Sequence, residues 1–400
     1  MIGSGPAGVF AAIEARRADP AATVTLLSDE ACEPYEKPPL SKAVLLGKAL
    51  PEHAPIAGRG GTAAHNIVLE HSAVVTAIDR AGHTVVTTTG RRYPYDALVL
   101  ATGSLVRELP QLPLGMPRVH YLRTEADARA LTAALRQCKE LLVVGGGLIG
   151  LEAAASAAEL GLKVTVLEVA PRILARVCDE ETGAFIAEEH RQHGVDLRTG
   201  TSLARVEARD AGITIESTGG DRFTADLIVV GTGVKPNDAL AAKAGLATDN
   251  GIVVDEHCRT SDPAIFAAGD AVSLPGPHGL VRLENWRHAQ DQGVVAGRNA
   301  AGANEAYRTV PSFWSEQYDL YIQGLGWPLP QRGERIRRAL PGKSRLTFEI
   351  AGGVIVGALG INAQRDLAAV RRLIERKIPV DAAALGDPSR PLASLLKATA

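Results

Sequence analysis

Two short apolar runs flank an alanine-rich segment near the middle of the chain. Residues 141–144 (LLVV) and 164–167 (VTVL) have the length and composition of buried strands, and the segment between them favours a helix. A turn with three glycines (GGGLIG) follows the first run, and Glu168 follows the second. The order of strand, glycine turn, helix, strand and acid predicts a βαβ unit of the type that binds dinucleotides.

The turn residues Gly145, Gly147 and Gly150 have separate physical roles. Glycine permits a tight turn, lets backbone amides approach a pyrophosphate, and lets the helix pack closely on its strand. Leu148 and Ile149 begin the helix, whose N-terminus offers positive partial charge to phosphates. The acid after the second strand would accept hydrogen bonds from ribose hydroxyls.

A second glycine motif, GSGPAG, lies at residues 3–8 and precedes a helical segment, an apolar strand at residues 23–27 and Asp29. The same order predicts a second dinucleotide unit. Only Met1 and Ile2 precede the motif, where a strand of about five residues is expected. Because a central strand is costly to lose, we expect the natural chain to begin upstream of Met1.

Alternating apolar and polar residues predict two small antiparallel segments, at residues 67–96 and 195–225. Each is followed by an apolar strand that ends in a glycine turn, ATG at residues 101–103 and GTG at residues 231–233. This repetition predicts an internal duplication.

A short strand ending in Gly269-Asp270 and a helix at residues 286–301 follow the second repeat. The pattern after them predicts a third domain. From residue 311 onward, alternating strands surround a basic helix at residues 364–376, which is typical of an α+β domain.

Composition limits the possible functions. The 400 residues are 46% hydrophobic and 22% charged with a formal net charge of −2, so we predict no nucleic-acid partner. No apolar run approaches the ~20 residues that span a bilayer, and no signal-peptide pattern opens the chain, so we expect a cytoplasmic protein without membrane contacts. Four scattered cysteines without CxxC spacing, and histidines without HxxxH spacing, predict neither disulfides nor a metal site.

The segment EPYEKPPLSK, residues 33–42, is predicted to be a loop. Its consecutive prolines exclude regular structure. The loop would deliver Lys42 to a fixed place before a short helix.

Eight motifs together resemble the flavoprotein reductases with two dinucleotide-binding domains, and within them the ferredoxin reductase components of multicomponent oxygenases. They are GSGPAG, PPLSK, ATGS, YLRT, GGGLIGLE, GTGVKPN, TSDPAIFAAGD and FWSEQYD. The resemblance covers nearly the whole chain and implies an α/β fold with two Rossmann-like domains. An FAD-binding domain would comprise residues 1–107 and 235–308, a NAD-binding domain residues 108–234, and a C-terminal α+β domain residues 309–400.

The resemblance also implies which residues hold the cofactors. Asp29 would bind the adenosine ribose of FAD, Arg123 its pyrophosphate and Asp270 its ribityl chain. The full FAD set is Gly3, Gly5, Ala7, Gly8, Asp29, Lys42, Val75, Ala101, Thr102, Gly103, Arg123, Gly269, Asp270, Trp286 and Trp314. The NAD set is Gly145, Gly147, Leu148, Ile149, Gly150, Glu168, Gly231, Thr232 and Gly233.

Lys42 and Glu152 are the catalytic candidates. In the family the equivalent pair lies near the reactive flavin edge, where it positions the nicotinamide. By themselves Lys42 would be a surface lysine and Glu152 a first-turn acid that favours the helix dipole. The resemblance implies that Trp286 and Trp314 lie close to the isoalloxazine. The alternative is packing in the core, because large aromatic side chains are usually buried.

Hydride transfer from NADH to FAD requires positioning rather than an acid or base. Because no cysteine pair lies beside the flavin loop, external one-electron acceptors remain. An acidic [2Fe–2S] ferredoxin is the leading partner and rubredoxin the second, with the reductase a monomer or weak homodimer. Two basic clusters could dock such a partner or be ordinary solvated charges: Arg332, Arg335, Arg337 and Arg338, and Arg371, Arg372, Arg376 and Lys377.

Glu168 predicts NADH as the nucleotide, because a carboxylate there would repel the 2′-phosphate of NADPH. Arg172 and Arg176 lie just downstream and could rescue NADPH binding. His190 and His193, near a predicted helix end, are expected to cap or solvate it rather than to bind metal.

Two other functions compete with this interpretation. One is a flavoprotein of the apoptosis-inducing-factor type, which binds partners or senses redox state. The other is a diaphorase or NADH oxidase that reacts with oxygen or quinones.

Overall fold

The computed structural model describes residues 1–209, 212–327 and 333–397. The chain divides into two units by its internal contacts. Met1–Glu36, Glu52–Leu105 and Lys235–Phe313 form the first unit, and Lys37–Pro51, Val106–Val234 and Trp314–Ala400 form the second.

Eight α-helices lie in the described part of the chain: α1 Pro6–Ala18, α2 Glu125–Leu135, α3 Leu148–Glu159, α4 Glu180–Gln192, α5 Ala239–Lys243, α6 Trp286–Ala300, α7 Gln364–Glu375 and α8 Ala382–Gly386. The strands of the same residues are β1 Thr25–Leu27, β2 Val68–Glu70, β3 Val75–Asp79, β4 Thr84–Thr87, β5 Arg92–Pro94, β6 Leu98–Leu100, β7 Ser104–Val106, β8 Val119–Tyr121, β9 Glu140–Val144, β10 Lys163–Glu168, β11 Asp196–Thr199, β12 Leu203–Arg209, β13 Gly212–Ser217, β14 Arg222–Ala225, β15 Leu227–Val230, β16 Val234–Pro236, β17 Ile252–Val253, β18 Ile265–Ala267, β19 Val272–Gly276, β20 Gly279–Val281, β21 Ser312–Gln317, β22 Leu320–Gly326, β23 Glu334–Ala339, β24 Arg345–Ala351 and β25 Val354–Ile361.

A parallel sheet forms the centre of the first unit. β1 pairs with β2 and β6 pairs with β18, both in parallel. Ile2 makes parallel bridges to both Leu27 and Leu100, so it lies between β1 and β6. The sheet order is therefore β2, β1, Ile2, β6, β18, with all three residues of β6 and of β18 buried.

Helices α1 and α6 pack against each other in the first unit. The contact is made backbone to backbone, because Gly293 and Gly297 of α6 face Ala7 and Ala11 of α1. A Cβ atom at Gly293 would lie 2.3 Å from the Ala7 carbonyl oxygen, and one at Gly297 would lie 2.2 Å from the Ala11 carbonyl oxygen. These two positions therefore require glycine. The predicted antiparallel segment is also present, as β3, β4 and β5.

A five-stranded parallel sheet forms the nucleotide-binding part of the second unit, in the order β11, β10, β9, β15, β8. Its inner strands are apolar throughout: β15 is fully buried, and Leu141–Val144 of β9 are buried. Ligands of such sheets bind at the carboxyl ends of the strands, and the glycine turn that follows β9 lies at that edge. The second predicted antiparallel segment is present as β12, β13 and β14.

An antiparallel sheet, in the order β21, β22, β25, β24, β23, forms the C-terminal part. Helix α7 covers it with the apolar face Leu367, Val370 and Leu373, all buried, so its basic residues occupy the opposite side.

Helix α4 joins the C-terminal sheet to the nucleotide-binding sheet within the second unit. The Arg345 guanidinium lies 4.0 Å above the centre of the Phe185 ring, and Lys343 Nζ lies 2.7 Å from Glu189 Oε2. Phe185 and Glu189 are one turn apart on α4, so a single face of this helix contacts the C-terminal sheet.

The α/β fold class with an added α+β domain is confirmed, and the three-domain division stays a prediction. One local expectation was wrong, because Pro38–Ser41 form a short 3-10 helix rather than an irregular loop. The two prolines occupy its first turn, where a missing N–H has no helical partner to lose. In the described part of the chain, no helix is both long enough and apolar enough to span a bilayer.

Candidate functional site

The first glycine turn brings two backbone segments of the first unit into close contact. Gly3 has a φ of +102°, and a Cβ there would lie 2.2 Å from the Ala101 carbonyl oxygen. A Cβ at Gly8 would lie 1.8 Å from the Gly3 carbonyl oxygen. Gly5, directly before α1, has no described heavy atom within 4 Å of its Cβ position. Gly3 and Gly8 are thus required by packing, whereas Gly5 leaves space at a helix N-terminus, the arrangement that suits a phosphate.

The acid predicted to bind ribose lies at the end of β1. Asp29 is exposed directly after Ser28, which is buried and lies 2.7 Å from Ser4 between the two hydroxyl oxygens. This contact ties the glycine turn to the end of β1. Val75 begins β3, half-buried and paired with Thr87 of β4.

The ATG turn is held by a residue more than 130 positions away in the chain. The Thr102 hydroxyl donates to the Asn237 carbonyl oxygen at 2.6 Å, and the Asn237 side-chain amide donates to the Thr102 carbonyl oxygen at 3.3 Å. The Asn237 backbone N–H donates to the Gly103 carbonyl oxygen at 2.9 Å. The Asn of GTGVKPN therefore closes the turn that begins at Ala101.

Gly269 and Asp270 lie between α1 and α6. Gly269 has a φ of +85°, and its Cβ position lies 2.9 Å from the Ala7 side chain. Its N–H donates to Gln292 Oε1 at 2.8 Å, and the Ser104 hydroxyl donates to Asp270 Oδ2 at 3.0 Å. The turn is therefore fixed from both sides, which orients the Asp270 carboxylate.

Helix α6 begins at Trp286, whose ring contacts Phe10 edge to face at 6.3 Å between centroids. Asn285 caps the helix by accepting from the His288 N–H at 2.8 Å. The His288 ring is buried, its Nδ1 lies 2.7 Å from the Tyr307 hydroxyl, and burial lowers its pKa to about 4.

The first unit fits an FAD molecule by two independent observations. The space at Gly5 borders the α1 N-terminus. Near Gly269, His288 Nε2 and Gln292 Nε2 are buried and have no hydrogen-bond partner among the described residues. Buried polar atoms are usually paired, so these two indicate a polar ligand that supplies the missing partners.

The second unit repeats the glycine geometry of the first. Gly145 has a φ of +111°, and its Cβ position lies 2.5 Å from the Gly231 carbonyl oxygen. A Cβ at Gly150 would lie 2.1 Å from the Gly145 carbonyl oxygen. A Cβ at Gly147 would lie 3.9 Å from its nearest described neighbour, the Gly231 carbonyl oxygen. Each contact of the first turn therefore has a counterpart, which supports the internal duplication. Leu148 and the half-exposed Ile149 open α3 beside this space.

Glu168 closes the second turn. Its Oε2 accepts from the Gly146 N–H at 2.6 Å and its Oε1 accepts from the Ala170 N–H at 2.7 Å. The carboxylate is thus fixed by two charge-assisted bonds and keeps acceptor capacity for ribose hydroxyls. Arg172 donates instead to the carbonyl oxygens of Ala175 and Cys178, at 3.0 and 2.9 Å. These contacts commit its guanidinium to its own loop rather than to a 2′-phosphate.

The GTG turn completes this site. The Thr232 hydroxyl donates to the Arg107 carbonyl oxygen at 3.0 Å, and the Arg107 N–H donates to the Gly233 carbonyl oxygen at 2.9 Å. Arg123 lies at the start of α2, where Thr124 and Asp127 form a capping box and Asp127 also accepts from the Arg123 N–H at 3.1 Å. The backbone of Arg123 is therefore fixed.

Lys42 and Glu152 form an ion pair in the second unit. Lys42 Nζ lies 3.2 Å from Glu152 Oε2, and the Glu152 side chain is only 4% exposed. Ser41 donates its hydroxyl to the same carboxylate oxygen. Glu152 lies beyond the first turn of α3, so the helix dipole does not explain its burial. A buried carboxylate needs partners, and Lys42 with Ser41 supplies them.

Sequence reasoning missed the residues that surround this pair. Ser315 donates its hydroxyl to Glu152 Oε1 at 2.7 Å, and Gln317 donates to Ser315 Oγ at 3.1 Å. The available signal was the alternation in FWSEQYD, where Ser315 and Gln317 occupy the buried face of β21 and the half-buried Trp314 precedes Ser315. Polar residues at alternate, inward positions of a strand indicate a buried network.

The expectation for His190 was wrong. It is fully buried, with Nε2 2.9 Å from Gln317 Oε1 and Nδ1 3.1 Å from the Tyr318 hydroxyl, and burial lowers its pKa to about 4. His193 does cap the end of α4, since its Nδ1 lies 2.8 Å from the Glu189 carbonyl oxygen.

The described arginines of the first basic cluster all have partners, and its role in docking stays a prediction. Arg337 pairs with Glu181, and Arg335 Nε lies 3.4 Å from a Glu349 oxygen. Arg338 is buried and donates to the carbonyl oxygens of residues 385, 388 and 390. Arg332 lies outside the described residues. The second cluster, on α7 and just after it, stays a prediction.

The thiols of three cysteines are unreactive by environment. Burial raises the pKa of Cys138 and of Cys178 to about 11 and that of Cys258 to about 12. A protonated thiol is a poor nucleophile. Cys32 is half-buried.

Comparisons with known proteins agree with this geometry. Residues 1–293 match the pyridine nucleotide-disulphide oxidoreductase family, and residues 312–396 match the reductase C-terminal family. The chain is 40% identical to the ferredoxin–NAD(+) reductase component of the anthranilate 1,2-dioxygenase system of Burkholderia cepacia, over 99% of this chain and 98% of that protein. It is 39% identical to rhodocoxin reductase of Rhodococcus erythropolis, over 95% of this chain and 90% of that protein.

The solved structures agree as well. The chain superposes on the reductase of the covalent putidaredoxin reductase–putidaredoxin complex with a TM-score of 0.93 and 35% identity, over 99% of this chain and 97% of that one. These matches confirm the predicted resemblance and the expected oxidoreductase class. The chain belongs to the pyridine nucleotide-disulphide oxidoreductase family and carries the C-terminal domain of its reductases.

Proposed function

We propose that this protein takes a hydride from NADH and passes electrons, one at a time, to a [2Fe–2S] ferredoxin that serves a cytochrome P450 or a Rieske oxygenase. The observation that carries the proposal is the duplicated glycine turn, Gly3 against Ala101 and Gly145 against Gly231. Two such turns in one chain fit one flavin nucleotide and one pyridine nucleotide. Two relatives that this chain matches over 98% and 96% of their lengths are named as ferredoxin–NAD(+) reductase components of dioxygenase systems.

Residues of the first unit would hold FAD, which accepts a hydride and releases electrons singly when bound. The α1 N-terminus, beside Gly5, would face its pyrophosphate. Asp29 would accept from the adenosine ribose and Asp270 from the ribityl hydroxyls. Trp286 would lie along the ring system. His288 Nε2 and Gln292 Nε2 would gain polar partners from the same molecule.

Residues of the second unit would hold NADH. The α3 N-terminus, beside Gly147, would face the pyrophosphate, and the fixed Glu168 carboxylate would accept from the adenosine ribose. The 2′-phosphate of NADPH would meet that carboxylate, whose two backbone bonds prevent it from turning away. Arg172 does not offset this repulsion, because its guanidinium is bonded to Ala175 and Cys178.

Lys42 and Glu152 would position the nicotinamide. Their contact keeps a lysine cation and a buried carboxylate at a fixed separation of 3.2 Å. Neither residue needs to transfer a proton, since hydride transfer depends on how closely the donor carbon of the nicotinamide approaches the acceptor nitrogen of the flavin. Arg123 and Trp314 of the same unit are proposed FAD contacts.

One-electron acceptors fit the thiol chemistry. Reduction of disulphides needs a low-pKa cysteine, and burial raises the pKa of Cys138, Cys178 and Cys258 instead. The overall reaction then converts one NADH and two oxidised ferredoxins into one NAD⁺, one proton and two reduced ferredoxins. Rubredoxin is the second acceptor to test.

The proposal is tested by anaerobic stopped-flow mixing with NADH, followed by steady-state reduction of a panel of [2Fe–2S] ferredoxins and a rubredoxin. We expect bleaching of the flavin absorbance by NADH and many turnovers per second with at least one ferredoxin. NADH consumption that requires oxygen and reduces no ferredoxin would overturn the proposal in favour of an NADH oxidase.

A cytoplasmic location and a monomer or weak homodimer stay predictions from the sequence. Cell fractionation and sedimentation velocity would test them.

A further inference from the structure

A line of buried polar side chains crosses the second unit from helix α4 to Glu152. Ser315 and His190 are 0% exposed, Gln317 is 1% exposed and Glu152 is 4% exposed. They come from three elements far apart in the chain, α3, α4 and β21. Four buried polar groups in one line are expensive unless every hydrogen bond is made.

The hydrogen bonds of this line have one direction. Gln317 Nε2 donates to Ser315 Oγ at 3.1 Å, which leaves the Ser315 hydroxyl hydrogen for Glu152 Oε1 at 2.7 Å. Gln317 Oε1 can only accept, so His190 Nε2, 2.9 Å away, carries a hydrogen. In the neutral ring Nδ1 then accepts from the Tyr318 hydroxyl at 3.1 Å. Every donor therefore points toward the Glu152 carboxylate.

The inner end of the line sets the rotation of that carboxylate. Ser315 holds Oε1, while Oε2 receives Ser41 and Lys42 Nζ, the latter at 3.2 Å. If the Ser315 bond were lost, the carboxylate could turn about its last torsion and the Lys42 contact would lose its geometry. The line therefore controls the pair from the side opposite Lys42.

The outer end of the line is packed. The His193 ring stacks on the Tyr318 ring at 3.7 Å between centroids with a 10° interplanar angle. Tyr318 has a φ of +56°, a conformation uncommon for a bulky residue, and it presents the hydroxyl to His190. Because Gln317 is an amide, the line orients groups and does not conduct protons.

We propose that Ser315, Gln317 and His190 are positioning residues for Glu152, and through it for Lys42, in hydride transfer from NADH. The inference rests on the proposed role of the Lys42–Glu152 pair. It adds that the C-terminal sheet, through β21, determines the geometry of the nicotinamide site.

The test compares five variants of the FAD-loaded enzyme by anaerobic stopped flow, which separates the limiting rate of flavin reduction from the Kd of NADH. Ser315→Ala and Gln317→Met break the line, and Ser315→Thr keeps the hydroxyl. Arg345→Met is the matched control, because it loosens the same contact between α4 and the C-terminal sheet without touching the line. Glu152→Gln tests the Lys42–Glu152 pair directly.

We expect Ser315→Ala and Gln317→Met to lower the limiting rate about 3- to 10-fold with little change in the Kd of NADH. Ser315→Thr should recover most of the rate, and Arg345→Met should retain it. If Glu152→Gln slows reduction while Ser315→Ala and Gln317→Met do not, the positioning role is wrong and the proposed function stands. If Glu152→Gln has no effect, the proposed role of the pair is itself wrong.

A second measurement does not depend on turnover. In ¹⁵N-histidine-labelled holoenzyme at neutral pH, His190 should be the neutral tautomer with hydrogen on Nε2. Tyr318→Phe should move its Nδ1 resonance and leave the tautomer in place. A hydrogen on Nδ1 would overturn the assigned direction and with it the positioning role.

Discussion

Replacement of Gly297 by alanine tests the closest helix contact of the first unit. A Cβ there would lie 2.2 Å from the Ala11 carbonyl oxygen and 2.7 Å from its Cα. Ordinary contacts of this kind exceed 3 Å, so α6 and α1 would have to separate by roughly 1 Å. Neither atom belongs to a flexible side chain, so no rotation relieves the contact.

The expected cost follows from two opposing effects. Overpacking a tight contact costs about 1–3 kcal/mol and occasionally more. Alanine is favoured over glycine inside a helix by about 1 kcal/mol, which offsets part of that cost. Because the 2.2 Å approach places the overpacking cost at the upper end of its range, we expect a net loss of about 2 kcal/mol, which lowers the Tm by about 4–8 °C for a unit of this size.

The assay is calorimetry of the holoenzyme together with the flavin content after gel filtration. The same helix pair presents Ala7 to Gly269, so a wider separation should also weaken FAD retention. Gly386→Ala is the control, because its Cβ would lie 3.7 Å from the nearest atoms, an ordinary contact. An unchanged Tm and flavin content in Gly297→Ala would refute the packing argument.

Further predictions concern specificity, pH and the buried arginine. Glu168→Ala should reduce the preference for NADH over NADPH at least about 10-fold in stopped-flow flavin bleaching, whereas Arg172→Gln should leave it unchanged; an unaltered ratio in Glu168→Ala would contradict the assignment. Burial lowers the pKa of His190 and of His288 to about 4. Between that value and the unfolded pKa near 6.5 the unfolded state binds more protons, so the free energy of unfolding should fall as pH drops, by up to ~1.4 kcal/mol per pH unit for each histidine. Urea titrations from pH 7 to 4.5 measure this, and a flat profile would count against burial of neutral rings. Arg338→Met should lower the free energy of unfolding by about 2–4 kcal/mol, since it removes the hydrogen bonds from a buried cation to three carbonyl groups. The salt dependence of ferredoxin reduction should not change. A changed salt dependence would indicate that Arg338 takes part in ferredoxin docking.

The sequence predicted the parts of the fold that local sterics determine. Gly8 and Gly150 had to be glycine because the carbonyl oxygens of Gly3 and Gly145, five positions earlier in each turn, occupy their Cβ positions. The short apolar runs that became β9 and β10 had to be buried strands, and the acid after β10 follows from the same βαβ geometry. These features depend on residues close together in the chain or on a repeated motif, so their pattern is visible without a structure.

The network around Glu152 could not be predicted in the same way. His190 and Gln317 are 127 positions apart, and nothing local in the α4 sequence indicates a buried neutral ring. Arg338 directly follows Arg337 in β23 and resembles a solvated residue, yet it binds carbonyl groups about 50 positions downstream. Such contacts depend on which surfaces the fold brings together.

The single face of α4 that contacts the C-terminal sheet has a consequence for engineered chimeras. Phe185 and Glu189 pair with Arg345 and Lys343, and the next residue, His190, pairs with Gln317. A C-terminal sheet grafted from another reductase would leave these α4 side chains opposite foreign residues. Residues 180–192 of α4 and the cap His193 should therefore be exchanged together with residues 312–361, so that the contacts across this interface are inherited as one block.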